Sequence, residues 1–441
     1  MAERKLFGTD GVRGVAGEFL TPELAMKLGR AATLAARGWG AERPQLLIVR
    51  DTRESGPMLE AALVSGITAA GGDALVAGVL PTPAAAVLTR RYGLDLAAVV
   101  SASHNPFSDN GIKFFSSRGS KLGEEAEALL EAKLEQKPGA VEIGRVRQLE
   151  GALDDYLRAL QAAFPLDLNG IKVALDCAHG SAYRAAPAIF ARLGAEVELF
   201  GAEPDGRNIN AGLGATHPQK LAEEVAASDA QIGFAFDGDA DRLIAVDDRG
   251  RLHDGDELIA LAATHLKKAG SLDGGVAVTV MTNYGFHGAM KAAGIEVTET
   301  QVGDRYVIEA LAERDWRLGG EQSGHIVWSD FAPTGDGIAA ALLTLRALEG
   351  RSLSEVEPFE RLPQRLVNVK IADRGAVEGA GALWKAVEKE SAKLKGRGRV
   401  LVRPSGTEPL VRVMVEAPGV EECEAVCARL VAVVERELSE G

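Results

Sequence analysis

Strand and helix patterns alternate along most of the chain, and this alternation limits its possible folds more than any other feature. Short apolar runs at 45–50, 74–79 and 97–101 are separated by longer segments whose apolar residues have helical spacing. Such a βαβ order predicts a largely parallel sheet that is covered by helices. Because the order returns from about residue 152 and again from about residue 255, we expect three related α/β domains of roughly 100 residues each.

The C-terminal segment has a different pattern. Strand patterns at 365–371, 399–403 and 410–416 combine with helical patterns at 381–395 and 420–438, which predicts a smaller α+β module. The expected fold class is therefore α/β, with three related α/β sandwich-like domains plus a C-terminal α+β domain around a central cleft. The predicted domain ranges are 1–150, 151–253, 254–364 and 365–441.

Charge and composition argue against several classes of protein. The 441 residues include 49 Lys and Arg against 63 Asp and Glu, a formal net charge of −14, whereas nucleic-acid binders need a basic surface. The N-terminus has no apolar signal core, and no apolar run approaches the roughly 18 residues of a membrane span. Cys177, Cys423 and Cys427 form no CxxC pair. We therefore expect a reduced, cytoplasmic protein that binds neither nucleic acid nor membrane.

An acidic loop between two short apolar runs is the strongest functional signal. Asp237, Asp239 and Asp241 stand at alternate positions and are followed at once by Arg242. Hard oxygen ligands this close together suit Mg²⁺ or Ca²⁺ rather than zinc. The alternative is a solvated acidic turn, which is less favoured because three adjacent carboxylates repel one another unless a cation lies between them.

A serine follows one of the predicted parallel strands. Ser103 comes just after the strand at 97–101, at the carboxyl end where α/β domains bind ligands, so it is a candidate nucleophile. For this motif alone, a turn hydroxyl before the Asn105-Pro106 breaker is equally compatible. Residues 109–111 predict a tight turn that returns Lys113 towards the serine, although Lys113 could also be plain surface charge.

Two further loops carry polar groups in patterns that suit a phosphorylated sugar. In the stretch 319–325, Glu321, Ser323 and His325 alternate acceptors and donors suited to sugar hydroxyls, while a plain glycine-rich turn is the alternative. In the stretch 403–409, small residues flanked by arginines suit a phosphate dianion, and an incidental turn is the alternative. The phosphate candidates are Arg403, Ser405, Gly406, Thr407 and Arg412.

Together these four motifs resemble the α-D-phosphohexomutases. The chain carries SASHNP, DGDADR, GGEQSGH and RPSGTEPLVRV in that family's order and over its whole length. The segments GTDGVRG, NIN with GATH, and VGDRYV, together with Gln322, further resemble the bacterial members that act on glucosamine phosphates. The resemblance implies interconversion of glucosamine-6-phosphate and glucosamine-1-phosphate on the way to UDP-N-acetylglucosamine and peptidoglycan. A phosphomannomutase/phosphoglucomutase is the near alternative, and a non-catalytic sugar-phosphate binding protein is the distant one.

The resemblance also implies a mechanism for the reacting centre. Ser103 would be a phosphoserine that donates its phosphoryl group to the sugar, gives glucosamine 1,6-bisphosphate as intermediate and activator, and then takes a phosphoryl group back from the other end. Asp237, Asp239 and Asp241, with an oxygen on Ser103, would bind Mg²⁺. Arg13, Arg242 and Lys113 would surround this centre, and either Lys113 or His104 would exchange the proton of the sugar hydroxyl.

The remaining roles are also implied by the resemblance. Glu321, Ser323 and His325 would contact the sugar, and the phosphate that is not transferred would bind Arg403, Ser405, Gly406, Thr407 and Arg412. The expected partner is a small phosphosugar substrate. The oligomeric state stays open, with a homodimer as one option.

Overall fold

The protein is described by a computed structural model that covers residues 6–8, 10–373, 375–404 and 409–438. The chain divides by internal contacts into two units. The first comprises Met1–Met281 with Ile295–Glu357, and the second comprises Thr282–Gly294 with Pro358–Gly441. This division does not follow the four domain ranges predicted from the sequence, which stay predictions. Within the described residues, no helix is long and apolar enough to cross a membrane.

The first repeat forms a six-stranded mixed sheet with the order β1-β5-β4-β2-β3-β6. Its elements are β1 (Val12–Val15), α1 (Pro22–Gly38), β2 (Gln45–Arg50), α2 (Gly56–Ala69), β3 (Asp73–Val79), α3 (Thr82–Tyr92), β4 (Leu96–Val100), β5 (Asp109–Ser116), α4 (Glu124–Ala132) and β6 (Val146–Gln148). Local signals explain the first helix: Thr21 Oγ1 accepts the Leu24 N–H at 3.3 Å, and Pro22 occupies the first turn. Strands β2, β3 and β4 are parallel, so the loop at 101–108, which contains Ser103 and is here called the serine loop, leaves the carboxyl end of β4.

The second repeat forms a five-stranded sheet with the order β11-β10-β9-β7-β8. Its elements are α5 (Ala152–Ala163), β7 (Lys172–Asp176), α6 (Ala182–Arg192), β8 (Glu196–Phe200), α7 (Gln219–Ala227), β9 (Ile232–Phe236), β10 (Leu243–Asp247) and β11 (Leu252–His253). Strands β9 and β10 pair antiparallel. The acidic loop is therefore the hairpin connection between two fully buried strands, as predicted.

The third repeat forms a four-stranded sheet with the order β13-β12-β14-β15. Its elements are α8 (Gly255–Lys268), β12 (Gly275–Thr279), α9 (Tyr284–Ala292), β13 (Glu296–Thr300), α10 (Asp304–Arg314), β14 (Leu318–Gly320), β15 (Ile326–Trp328) and α11 (Gly337–Leu348), followed by a short 3₁₀ turn at Leu353–Glu355. Strands β14 and β15 pair antiparallel, so residues 321–325 connect a hairpin.

The second unit combines helix α9 with the C-terminal segment. The C-terminal elements are β16 (Gln364–Lys370), α12 (Ala376–Gly379), α13 (Gly381–Leu394), β17 (Arg399–Pro404), β18 (Leu410–Glu416) and α14 (Val420–Leu438). The strands form an antiparallel sheet with the order β16-β18-β17. The start of α9 is held by the buried Glu416, whose carboxylate accepts the Asn283 amide and the Tyr284 N–H, both at 3.1 Å.

The three α/β repeats and the C-terminal α+β module confirm the predicted fold class, with one local correction. Residues 109–111 open strand β5 instead of forming a tight turn. Gly111 allows this because a Cβ there would lie 2.5 Å from the Ser101 carbonyl oxygen. The glycine-rich segment near the N-terminus contains strand β1, which pairs antiparallel with β5. Strand β5 also pairs antiparallel with β4 and sets Lys113 opposite Val99, so the predicted return of Lys113 towards the serine loop is correct.

Candidate active site

The serine loop, the acidic loop (residues 237–242) and the hairpin loop at 321–325, here called the sugar loop, meet at one cleft of the first unit. The cleft has a volume of about 530 Å³. The predicted site residues among those that line it are Arg13, Ser103, His104, Asp241, Arg242, Glu321, Ser323 and His325. Three separate repeats of the chain therefore contribute to one pocket.

Ser103 is held in an unusual backbone conformation within this cleft. Its φ angle is 52°, in the left-handed region that few residues other than glycine adopt. The side chain is 2% exposed, and Ser103 Oγ donates a hydrogen bond to Asp237 Oδ2 at 2.8 Å. His104 Nδ1 lies 3.4 Å from the same hydroxyl oxygen. The hydroxyl therefore faces the acidic loop on one side and an imidazole on the other.

The three aspartates of the acidic loop fit a divalent cation. Asp237, Asp239 and Asp241 are all buried, and their potential ligand oxygens lie within 4.8 Å of one another. Asp239 Oδ1 and Asp241 Oδ1 are buried and have no hydrogen-bond partner among the described residues. Because a buried carboxylate oxygen without a partner is costly, converging oxygens of this kind suit a hard cation such as Mg²⁺.

The ionisation of the aspartates reflects their crowding. Burial, together with the charges of Asp241 and Asp239, raises the pKa of Asp237 well above its ordinary value. Burial also opposes ionisation of Asp239, but the contacts from Lys113 and Thr82 lower its pKa overall. Lys113 Nζ donates to Asp239 Oδ2 at 2.8 Å, and Thr82 Oγ1 donates to the same oxygen at 2.7 Å. Lys113 and Thr82 of the first repeat thus fix the carboxylate of Asp239 in the second repeat.

Lys113 and His104 occupy different sides of the site. Lys113 is 1% exposed, and it contacts Asp10 at 3.1 Å in addition to Asp239. His104 is only partly buried and lines the cleft. Burial, followed by the charges of Arg242 and Arg13, lowers the pKa of His104. The lowered pKa favours the neutral ring, which can accept a proton.

The two arginines of the predicted site line the same cleft as Ser103. Arg13 lies on β1 opposite Gly111 of β5 and donates to the carboxylate of Asp10. The Arg242 main-chain N–H donates to Asp237 Oδ1 at 3.2 Å. Both guanidinium groups line the cleft, where they suit the oxygens of a phosphoryl group.

The sugar loop is seated directly against the acidic loop. A Cβ on Gly324, whose φ is +90°, would lie 2.0 Å from the Leu243 carbonyl oxygen, so only glycine permits this approach. Glu321 Oε1 accepts the Gly303 N–H at 3.0 Å, which fixes its carboxylate at the cleft wall. Ser323 is exposed and lines the same wall.

His325 lies behind the acidic loop, although its ring also borders the cleft. The residue is 2% exposed, and its Nε2 accepts the Gly335 N–H at 3.1 Å. Its Nδ1 lies 3.6 Å from Asp241 Oδ2. Burial disfavours the charged ring, but the carboxylates of Asp241 and Asp304 raise the pKa of His325 overall. These contacts fit a residue that orients Asp241 better than one that binds sugar hydroxyls.

Sequence reasoning gave no site role to several residues of the cleft. Lys121 Nζ donates to Asp10 Oδ1 at 2.5 Å and also to the carboxylate of Asp304. Burial opposes the charge of Asp304, but Lys121 and His325 lower its pKa. Asp304 lies in the VGDRYV segment that the sequence already associates with the choice of sugar, and Asp10 belongs to the quoted GTDGVRG segment and could have been singled out. Nothing near Lys121 in the sequence marks it.

The predicted phosphate site belongs to the second unit. Arg403 on β17 and Arg412 on β18 are directly opposite each other in the strand register. Arg412 Nε is buried without a hydrogen-bond partner among the described residues. Burial and the charge of Arg412 lower the pKa of Arg403. Like charges at opposed positions are unfavourable unless an anion binds them. The other predicted members, Ser405, Gly406 and Thr407, lie outside the described residues.

Comparison with known proteins places the chain in a family. Four models described as phosphoglucomutase/phosphomannomutase match it: α/β/α domain I over residues 4–139, domain II over 154–250, domain III over 254–364 and the C-terminal domain over 366–433.

Full-length relatives and a solved structure agree with these matches. The chain is 51% identical to a phosphoglucosamine mutase of Moorella thermoacetica, over 97% of this chain and 98% of that protein. It is 50% identical to one of Desulforudis audaxviator, over 97% of each chain. Its fold matches a phosphoglucomutase/phosphomannomutase family protein of Burkholderia thailandensis with a TM-score of 0.82 at 24% identity, covering 99% and 98% of the two chains. The chain therefore belongs to the phosphoglucomutase/phosphomannomutase family of phosphohexomutases, which are isomerase-class phosphotransferases.

Proposed function

We propose that this enzyme is a phosphoglucosamine mutase, which interconverts glucosamine-6-phosphate and glucosamine-1-phosphate through a phosphoserine and glucosamine 1,6-bisphosphate. The observation that carries the proposal is the position of Ser103 Oγ, which lies 2.8 Å from an aspartate of the acidic cluster and lines the same cleft as the sugar loop. The identity of about 50% to phosphoglucosamine mutases over nearly the full chain supports the choice of sugar. The product would serve UDP-N-acetylglucosamine and peptidoglycan synthesis.

In this proposal, Ser103 carries the phosphoryl group between turnovers. The bond from phosphorus to Ser103 Oγ breaks as a bond to a sugar oxygen forms, and the reverse transfer from the other end of the bisphosphate restores the phosphoserine. Asp237, Asp239 and Asp241 would hold Mg²⁺ with an oxygen on Ser103. The bound ion would neutralise charge on the transferring group. Arg13 and Arg242 line the cleft beside the serine and would bind the oxygens of that group.

We assign the proton transfer to His104 rather than to Lys113. A general base must reach the sugar hydroxyl and be deprotonated at working pH. His104 lines the cleft beside Ser103 Oγ and has a lowered pKa. Lys113 is buried and already bonded to Asp239 and Asp10, so its proposed role is to hold the metal ligand.

The sugar and phosphate contacts complete the proposal. Glu321 and Ser323 would bind ring hydroxyls, while His325 would orient Asp241. The opposed pair Arg403 and Arg412 of the second unit would bind a phosphate of the substrate, together with Ser405, Gly406 and Thr407. We further propose a cytoplasmic enzyme, in which the three buried, unpaired cysteines stay reduced.

A side-by-side assay tests the substrate. The measurement is kcat/KM on glucosamine, glucose and mannose 6-phosphates with Mg²⁺ and a trace of the matching bisphosphate. An ammonium group favours a nearby carboxylate, and the cleft offers Glu321 and Asp304. We expect glucosamine phosphate to be preferred by about ten- to hundredfold. An equal or higher value for glucose or mannose phosphate would favour a phosphomannomutase/phosphoglucomutase instead.

A further inference from the structure

A fully buried arginine, Arg53, contacts the serine loop without lining the cleft. Arg53 follows strand β2 and is 0% exposed. Its Nε donates to Asp51 Oδ2 at 2.8 Å, and its main-chain N–H donates to Asp51 Oδ1 at 3.0 Å. The carboxylate thus compensates the buried charge and fixes the plane of the guanidinium.

The remaining donors of Arg53 bind carbonyl groups of the serine loop and of Asp109, the first residue of β5. Nη2 donates to the carbonyls of Ser103 and Asn105, each at 2.9 Å. Nη1 donates to the Asp109 carbonyl at 2.9 Å and to the carbonyl of Pro106. The rigid, planar guanidinium therefore binds four main-chain carbonyl oxygens between Ser103 and Asp109. The three donors of a lysine ammonium cannot reproduce this arrangement.

The other main-chain groups of Ser103 are fixed from the same side. The Ser103 N–H donates to Ser101 Oγ at 3.0 Å, and Ser101 Oγ donates to Asp51 Oδ2 at 2.6 Å. Asn210 Nδ2 adds a second donor to the Ser103 carbonyl at 3.0 Å. With both its N–H and its carbonyl held, Ser103 keeps a left-handed φ of 52° while its hydroxyl faces Asp237.

We propose that Arg53, aligned by Asp51, is the positioning residue of the phosphoryl-transfer serine. Arg53 contacts only the main chain of the loop, and through it sets the direction of Ser103 Oγ relative to the acidic loop. Left-handed backbone in a non-glycine residue is unfavourable and persists only when its surroundings impose it. The four carbonyl contacts of Arg53 supply that restraint. The inference rests on the proposed function, because it names a determinant of the same serine chemistry.

The test replaces Arg53 by lysine in the full-length enzyme. Arg53→Lys keeps the positive charge beside Asp51 but removes the planar guanidinium that binds the four carbonyl groups. We expect kcat to fall on the order of 100-fold, the cost of displacing a reacting group by about 1 Å, while KM changes less than about threefold because no substrate contact is lost. Hydrogen exchange of the peptide covering residues 101–111 should become about tenfold faster or more, as expected when a local restraint is lost.

A matched control separates positioning from general stability. Arg346 is a half-buried arginine outside the cleft, with its guanidinium stacked on Phe164 and Trp328 at 5.3 and 4.6 Å from the ring centroids. Arg346→Lys should lower the melting temperature without changing kcat or exchange at residues 101–111. If Arg53→Lys fails to fold, the same measurements are made on Asp51→Asn. It keeps the shape but removes the charge that aligns Arg53, and it should lower kcat about tenfold.

Each outcome of these measurements either supports or overturns the proposal. Slower turnover at constant KM together with faster exchange at residues 101–111 supports the proposal. Near-normal kcat in Arg53→Lys, or in Asp51→Asn where the lysine variant does not fold, overturns it. Unchanged exchange in the loop overturns it as well. If the parent enzyme has no mutase turnover, the proposed function is refuted instead. Hydrogen exchange at residues 101–111 in the variant would then be the measurement that shows whether Arg53 holds Ser103.

Discussion

Asp336 should make the free energy of unfolding fall as the pH rises, and one substitution should remove this effect. Asp336 precedes helix α11, where Oδ1 accepts the Ala339 N–H at 2.9 Å and Oδ2 accepts the Tyr156 hydroxyl at 2.7 Å. Burial raises the pKa of this carboxyl from 3.8 to about 6, against the lowering effect of these hydrogen bonds. The folded protein therefore holds this proton to a higher pH than the unfolded chain does.

The sign and size of the effect follow from this difference in pKa. Protonated Asp336 contributes stability that is fully present below pH 3.8 and is lost as the pH rises through about 6. The difference of 6 minus 3.8, or about 2.2 pKa units, corresponds to roughly 3 kcal/mol of unfolding free energy. The group is fully buried, so solvent screening does not reduce this figure much.

Asp336→Asn should abolish that loss. An asparagine oxygen can still accept the Ala339 N–H, and its amide can donate to the Tyr156 oxygen once the hydroxyl rotates. We expect the melting temperature of the variant, relative to that of the parent, to be several degrees higher at pH 8 than at pH 4.5. The measurement is calorimetry at fixed Mg²⁺ and ionic strength.

The control for this prediction is Asp273→Asn, which alters a carboxylate whose side chain is 72% exposed. Its melting curve should follow the parent at every pH. Parallel pH curves for Asp336→Asn and the parent would show that Asp336 ionises normally in the folded protein, and the reasoning from burial would be wrong.

Three further predictions concern the chemistry of the site. Ser103→Ala should abolish mutase turnover with little change in melting temperature, and phosphopeptide mapping of the parent should locate phosphate on Ser103; a label on Ser101 would contradict this. Asp239→Asn should lower turnover more than 100-fold and remove the thermal stabilisation by Mg²⁺. If Mg²⁺ raises the melting temperature of the variant as it does that of the parent, the acidic loop is a solvated turn and not a metal site. Arg412→Ala should lower kcat/KM by about ten- to hundredfold, since a charge-assisted contact contributes ~1.5–3 kcal/mol. It should not destabilise the protein, because it relieves repulsion with Arg403, and Arg397→Ala at an exposed ion pair is its control.

Local patterns in the sequence determined the elements of this protein and the chemistry of each loop. The apolar runs around the acidic loop are strands β9 and β10, and the alternate spacing of Asp237, Asp239 and Asp241 brings their carboxylates into one cluster. The sequence likewise predicted the position of Ser103 after β4. These features depend on neighbours only a few residues apart, so periodicity and loop position encode them.

Only the tertiary structure decided which side chains act on these loops. Arg53 lies 50 positions from Ser103, Lys113 lies 126 from Asp239, and Tyr156 lies 180 from Asp336. The burial and the contacts of Lys113 and His325 likewise could not be predicted from the sequence. Contacts of this kind arise when separate sheets pack together, because the free energy of burying and pairing these groups depends on the whole fold. A single buried arginine or lysine carries no mark in the sequence that distinguishes it from one in solvent.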